Sequence, residues 1–289
     1  MMNRDHRPDK PPRFTITVLR TSDIRVHEET ESKLTRMLAG KIKRDGVQRD
    51  PIVVDRDTRV VLDGTHRAAA LEMLDCDKVG AWIVSYRNPS VRVSRWMRCI
   101  HGLIDIKQVA ELSPNLTFTW TTLNSLDEIN PDTLPSTAGI HILTRNSWTA
   151  SSDHEAMEPF TLYEHIGRME KRVKDRGCSI TYNTLDDALV LLRSRQADVL
   201  LIPPILSKDS IVTLAMDGKL LPPKSTKHTF AFRPLGVNIP LTLLKSETTL
   251  QSARWKVVQL LKGKHPRFMP PGSTINGRRY EEVAWLYEE

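Results

Sequence analysis

The sequence has no apolar run approaching the roughly 18 residues that a membrane-spanning helix requires, so nothing in it reads as a span. Its first thirteen residues, Met1 to Arg13, are polar and proline-rich. They lack the apolar core of a signal peptide and read as a short disordered lead-in. Cysteine is scarce: Cys76, Cys99 and Cys178 are odd in number and far apart. That set makes neither a disulfide framework nor a zinc-ligand spacing, and it suits buried thiols in a reducing cytoplasm. There is no repeat at a fixed period and no low-complexity tract. The familiar chemical signatures are missing too. We find no Walker A sequence, no Gly-x-Gly-x-x-Gly after a strand, no protein-kinase loop set and no Gly-x-Ser-x-Gly elbow.

What is present is an ordinary globular composition, 39% hydrophobic and 27% charged over 289 residues. It excludes a mostly disordered chain and leaves room for two domains. The formal charge of +7 suits an anionic partner such as nucleic acid, nucleotide or phosphorylated metabolite, without choosing among them.

The hydrophobic pattern predicts an α/β (α+β) protein. Phe14–Leu19 alternates as a strand, and residues 30–44 repeat apolar side chains at helical spacing up to Gly46. Strands are expected at 51–54, 59–62, 79–84 and 91–96, with an alanine-rich helix at 68–74. A second α/β unit starts near Leu162. It has helices at 162–176, 185–195 and 208–216, and strands at 178–182, 198–202 and 229–232. Thr184 should cap the second of these helices. Residues 103–160, broken by Pro114, Asn115, Pro131 and Pro135, read as loops, short strands and an insertion. The tail from Ser246 shows one helix, 251–261, then a proline-glycine stretch.

Three clusters could carry chemistry. Asp63-Gly64-Thr65-His66-Arg67 joins a strand to the alanine-rich helix. Such a junction presents backbone N–H groups and a helix N-terminus to a phosphate, and Arg67 and His66 could add donors. Asp63 could orient either residue or approach a nucleotide-bound metal. The plain alternative is an Asp-Gly turn with a solvated helix start. His27-Glu28-Glu29 ends a polar loop before a helix. Glu29 and Glu31 are accounted for by the helix dipole, whereas Glu28 beside a phosphate site could take a proton from a hydroxyl. Lys224-Ser225-Thr226-Lys227-His228 packs donors for an anion into five residues, and by itself it reads as a basic surface loop. Trp96 could wall a pocket or simply pack in a core.

In combination these clusters resemble the ParB/sulfiredoxin superfamily and, within it, the free L-serine kinases. The family's His-Glu pair matches His27-Glu28, and its Asp-Gly-His-His-Arg matches Asp63 to Arg67 with Thr65 in place of the first His. Its tryptophan fits Trp96, and its Pro-Lys-Thr-Thr-Arg-His fits Pro223 to His228 with changes at Ser225 and Lys227. The likeness covers about 14–102 and 160–245. It implies a ParB/sulfiredoxin-like nucleotide-binding domain over 14–102, a smaller α/β domain over 103–245 carrying a substrate loop, and a C-terminal extension over 246–289. It also implies ATP or ADP as donor with Mg²⁺, L-serine as acceptor, Glu28 as base and His66 as a catalytic partner. Phosphate binding falls to Asp63, Gly64, Thr65, His66 and Arg67, and serine binding to Trp96, Ser225, Thr226, Lys227 and His228. A cytoplasmic setting follows.

Two relatives within the superfamily set the alternatives. Sulfiredoxins place a nucleophilic cysteine where Thr65 stands, which argues against that activity. A ParB-like, nucleotide-dependent DNA-binding protein should carry a helix-turn-helix after the first unit, and the proline-broken stretch after Gly102 shows no such pair. A nucleotide-binding scaffold without turnover would have no need of Glu28.

Overall fold

The computed structural model describes residues 10–102, 106–113, 116–128, 139–151 and 157–287. Most of the lead-in, and Pro114, Asn115, Pro131 and Pro135, lie outside them. The elements are, in chain order, β1 (Thr15–Arg20), α1 (Ser32–Asp45), β2 (Val47–Gln48), β3 (Ile52–Asp55), β4 (Val61–Asp63), α2 (Thr65–Glu72), β5 (Lys78–Val84), β6 (Arg92–Ser94), β7 (Met97–His101), α3 (Ile106–Glu111), β8 (Phe118–Thr122), β9 (His141–Leu143), β10 (Ser147–Ser151), α4 (Pro159–Asp175), β11 (Ser179–Asn183), α5 (Leu185–Arg193), β12 (Val199–Ile202), α6 (Lys208–Met216), β13 (Lys227–Thr229), β14 (Phe232–Leu235), β15 (Ile239–Pro240), α7 (Leu250–Lys262), β16 (Arg267–Met269), β17 (Thr274–Ile275), β18 (Arg278–Arg279) and β19 (Val283–Leu286). This is a mixed α/β protein.

The chain divides into two compact units. One comprises Met1–Arg92, Ala215–Lys219 and His228–Glu289, the other Val93–Leu214 and Leu220–Lys227. In the first unit, four strands form a sheet in the order β1-β5-β3-β4. β3 runs parallel to β5 and antiparallel to β4. Ile52, Val53, Val54 and Asp55 are all buried, so β3 is a central strand covered on both faces. α1 ends where expected, at Gly46 in the left-handed conformation (φ 69°), whose N–H closes on the Ile42 carbonyl. α7 packs beside β1, where Arg254 Nε donates to the Val18 carbonyl at 2.9 Å. Gln48 is buried in the same unit and exchanges hydrogen bonds with both backbone groups of Gly80, at 2.7 and 2.8 Å.

The tail departs from the sequence reading. Beyond the expected helix, the proline-glycine stretch carries strands that the sequence did not show: β16 and β19 join β14 in a three-stranded sheet, β14-β19-β16. β19 lies parallel to β14, with Arg233 opposite Ala284. Leu235, Ile275, Tyr280, Ala284 and Leu286 bury a small core there. These strands are too short, and too interrupted by proline and glycine, for alternation to be visible in the sequence.

The second unit is a six-stranded sheet in the order β11-β7-β12-β9-β10-β8. Met97, Cys99, Leu143, Leu189, Leu192, Leu200 and Ile202 pack in its core. Thr184 caps α5 by accepting from the Asp187 N–H, as expected. The region read as loops, short strands and an insertion supplies β8, β9 and β10 to this sheet. β7 belongs to this second unit, where it pairs with β11 and β12. The expected strand at 229–232 is resolved into β13 and β14. Cys76, Cys99 and Cys178 are unpaired thiols, the first two buried.

Candidate functional site

The candidate residues fall into two sets, one in each unit. In the first unit, β4 delivers Asp63, and Gly64 turns the chain into α2 at φ 101°. A Cβ on Gly64 would lie 2.8 Å from both Ile52 Cγ2 and Arg67 Nη2, so this turn needs glycine for space as well as conformation. Thr65, His66 and Arg67 form the first turn of α2, three residues earlier than the alanine run suggests. The cap carries no side-chain hydrogen bond. This leaves the helix start suited to an external acceptor.

His66 does something the sequence reading did not anticipate. Its Nε2 accepts the Glu31 N–H at 3.1 Å. It thereby ties α2 to the start of α1 and to the loop that carries Glu28. An imidazole nitrogen that accepts from an amide is unprotonated, which places the ring proton on Nδ1. Glu28 is 15% exposed, with Oε1 3.8 Å from Nε2 of the buried His27. Burial pushes the His27 pKa down, against the pull of Glu28.

Asp63 is bound by two guanidiniums through the same oxygen, Arg67 Nη2 at 3.0 Å and Arg233 Nη1 at 2.8 Å. Burial alone would raise its pKa, but Arg233, Arg67 and Arg278 outweigh it and hold the carboxyl well below the usual range. Asp63 therefore orients arginines and is not available as a metal ligand. Arg67 also reaches the Pro51 carbonyl at 3.3 Å. An open pocket of about 270 Å³ lies against this group, lined by Asp63, Arg67 and Arg233 together with Trp82, Arg278 and Tyr280.

His228 is buried, with its Nε2 2.7 Å from the Tyr86 hydroxyl and its ring 5.9 Å from that of His27. Burial, then the neighbouring His27 and Arg233, lower its pKa to about 3 against the pull of Asp63, so the ring is neutral. Tyr86 is itself placed by Asp55, which accepts its N–H at 2.8 Å.

In the second unit, Trp96 lies between β6 and β7. The ammonium groups of Lys224 and Lys227 each sit 5.3 Å from its ring centroid, within cation–π range. Arg98, fully buried, holds the Trp96 carbonyl at 2.9 Å and pairs with Glu170 at 2.7 Å. Ser225 is 1% exposed and donates its hydroxyl to the Pro222 carbonyl at 2.7 Å, so it shapes the loop from within. The Tyr163 hydroxyl approaches the Ser225 carbonyl at 3.0 Å. Thr226 is also buried.

Sequence reasoning missed Arg233, Glu282, Tyr86, Arg98 and Tyr163. None lies in a motif. Only the general rule that a charge read as buried needs a partner could have flagged Arg98, and only once β7 was recognised. Among the described residues no cluster of three or more His, Cys, Asp or Glu is placed to hold a metal. No helix among them is long and apolar enough to cross a membrane. The stretch after Gly102 that a DNA-binding reading would fill with two helices holds, among the described residues, the six-residue α3 and then β8.

These features define a mixed α/β protein whose first unit holds a half-buried carboxylate and an anion-ready helix start. No family model matches the chain. Over 233 residues it is 26% identical to the ATP-dependent L-serine kinase of Staphylothermus marinus, covering 76% of this chain and 87% of that one. A ParB-like protein of Sulfolobus acidocaldarius is 24% identical over 209 residues, 72% and 87% of the two chains. Among solved structures, C-terminally truncated SbnI from Staphylococcus aureus shares 23% identity at a TM-score of 0.67, over 86% of this chain and 95% of that one. A free serine kinase in complex with AMP shares 17% at a TM-score of 0.63, over 84% and 98%. The fold is thus the one shared by free serine kinase and SbnI, and the chain resembles the free serine kinases along most of its length.

Proposed function

We propose that the protein is a free L-serine kinase, transferring a phosphoryl group from ATP to the serine hydroxyl to give O-phospho-L-serine. The observation that supports this most directly is the tie between His66 and Glu31, which fastens the Glu28 loop to the first turn of α2. It keeps a proton acceptor and a phosphate-ready helix start in one unit. Likeness to an ATP-dependent L-serine kinase over 76% of the chain supports L-serine as acceptor and favours ATP as donor.

In this reading Glu28 takes the proton as the serine oxygen attacks the terminal phosphorus. The new P–O bond forms as the bond from phosphorus to the bridging oxygen breaks, and that oxygen leaves with its electron pair on the nucleoside diphosphate. Arg67, held by Asp63, and the N–H groups of Thr65, His66 and Arg67 stabilise the equatorial oxygens. His66 serves chiefly by positioning, since its Nε2 is occupied. His228, neutral and anchored by Tyr86, offers a hydrogen bond and no charge. Trp96 with Lys224 and Lys227 binds serine, the lysines supplying charge for its carboxylate. The donor set does not make a resident Mg²⁺ site, because Asp63 is committed to arginines. Mg²⁺ would arrive on the nucleotide phosphates, as it commonly does.

The test is to incubate the protein with L-serine, Mg²⁺ and either ATP or ADP, and to follow O-phosphoserine by phosphorus NMR. Product with ATP that is lost in Glu28→Gln supports the reading. A folded protein that yields none with either donor sinks it.

A further inference from the structure

We propose that Glu282 and Arg233 are positioning residues for the phosphoryl-binding group, acting through Asp63 on Arg67. The proposal rests on the kinase reading above.

Arg233, on β14, is 5% exposed, and each of its three guanidinium nitrogens is engaged. Its Nε donates to Glu282, Nη1 to Asp63 at 2.8 Å and Nη2 to the His228 carbonyl at 3.3 Å. Its Cζ lies 4.7 Å from the Phe230 ring centroid. Burial would lower its pKa, but Asp63 and Glu282 raise it, so the charge is fixed. One side chain therefore sets both the carboxylate that orients Arg67 and the backbone of His228. A lysine could not make these contacts together, because they need a planar fork.

Glu282 decides how Arg233 divides itself. It is 11% exposed and precedes β19, whose parallel register with β14 brings it to Arg233. Asp63 and Glu282 set two negative charges against the positive charges of Arg67, Arg233 and Arg278, and Arg233 is the arginine that both carboxylates hold directly. With Glu282 neutralised, Arg233 has Asp63 as its one anionic partner and draws that carboxylate from Arg67. Glu282 need not touch substrate for this to matter, since a shift of about 1 Å in a positioning group can cost about a hundredfold in rate.

The experiment is a double-mutant cycle on turnover, with Glu282→Gln in the wild-type and Arg67→Lys backgrounds, alongside thermal melting of each protein. If the relay acts through Arg67, Glu282→Gln lowers kcat about tenfold in the wild-type background while leaving the KM for serine within about twofold. In the Arg67→Lys background the same change should cost less than about twofold. Equal losses in both backgrounds, or an unchanged kcat with a lowered melting temperature, would mean Glu282 is only structural and would overturn the relay. Should Glu282→Gln fail to fold, Glu282→Asp, which keeps the charge but shortens its reach, is run through the same cycle. Failure of the kinase reading shows separately, as absence of O-phosphoserine from the wild type, and takes the relay with it. An active wild type with additive variants removes the relay alone.

Discussion

Replacing Gly64 by alanine tests the strand-to-helix turn directly. Two costs can be separated. The first is conformational: an L-residue at φ 101° is strained by about 1–2 kcal/mol. The second is steric, because the new Cβ would meet Ile52 Cγ2 and Arg67 Nη2 at 2.8 Å. Ile52 is fully buried in β3 and has nowhere to go, so overpacking adds about 1–3 kcal/mol. Together these amount to about 2–5 kcal/mol. At roughly 2–4 °C per kcal/mol for a unit of this size, melting should fall by about 4–20 °C. Gly46→Ala is the matched control. Gly46 also has positive φ (69°), but nothing lies within 4 Å of its added Cβ, so it should lose only the conformational part, about 1–2 kcal/mol. Circular-dichroism melts of the three proteins decide the matter. Turnover should fall further in Gly64→Ala than in Gly46→Ala, because Arg67 is the neighbour that must yield. Equal melting temperatures for the two variants would refute the steric reasoning. Full activity in Gly64→Ala would refute the role given to Arg67.

Three further outcomes are expected. His66→Ala leaves the Glu31 N–H without its acceptor, and should cost about 1 kcal/mol in urea unfolding and a larger share of kcat than of KM. His228, held at about 3 in the folded state against an ordinary 6.5, binds fewer protons folded than unfolded. Its stabilising effect is therefore complete above pH 6.5 and is lost as pH falls towards 3, by up to about 1.4 kcal/mol per pH unit. His27, also lowered, adds in the same direction. Urea titrations from pH 7.5 to 4.5 should show a flatter slope for His228→Gln than for the wild type, and parallel slopes would count against the burial argument. Trp96→Ala removes the ring faced by Lys224 and Lys227 and should raise the KM for serine by about tenfold, with Trp96→Phe intermediate; equal KM values would exclude the aromatic platform.

Much of the first unit was legible because its signals are local. Helical spacing and Gly46 delimit α1, and an Asp-Gly pair between a β-rich run and alanines marks the turn into α2. The second unit's helices were readable for the same reason, down to the cap at Thr184. What escaped depends on pairing between distant residues. β7 has no alternation of its own, and β16 to β19 are two to four residues long. They exist as strands because partners far away in the chain accept them. The site divides along the same line. Asp63, His66 and Arg67 could be found because they sit together. Arg233 and Glu282 could not, since 170 residues separate Asp63 from Arg233 and 49 separate Arg233 from Glu282. His66 was found but given the wrong emphasis, because sequence shows a side chain's chemistry and not which backbone group has already claimed it.

The first unit is assembled from pieces on either side of the second, and this bears on how the chain emerges from the ribosome. Strands β1, β3, β4 and β5 are made early, but Arg233, α7 and β19 arrive only after the whole second unit has been synthesised. Until then the Asp63 carboxylate lacks Arg233, and β14 lacks its parallel neighbour. Closing such distant pairs is intrinsically slow. Nascent chains arrested before β14 should therefore hold a folded second unit beside an unfinished first one. A ribosome pause near the start of α7 would lengthen the interval in which the sheet edge at β1 is exposed to other chains.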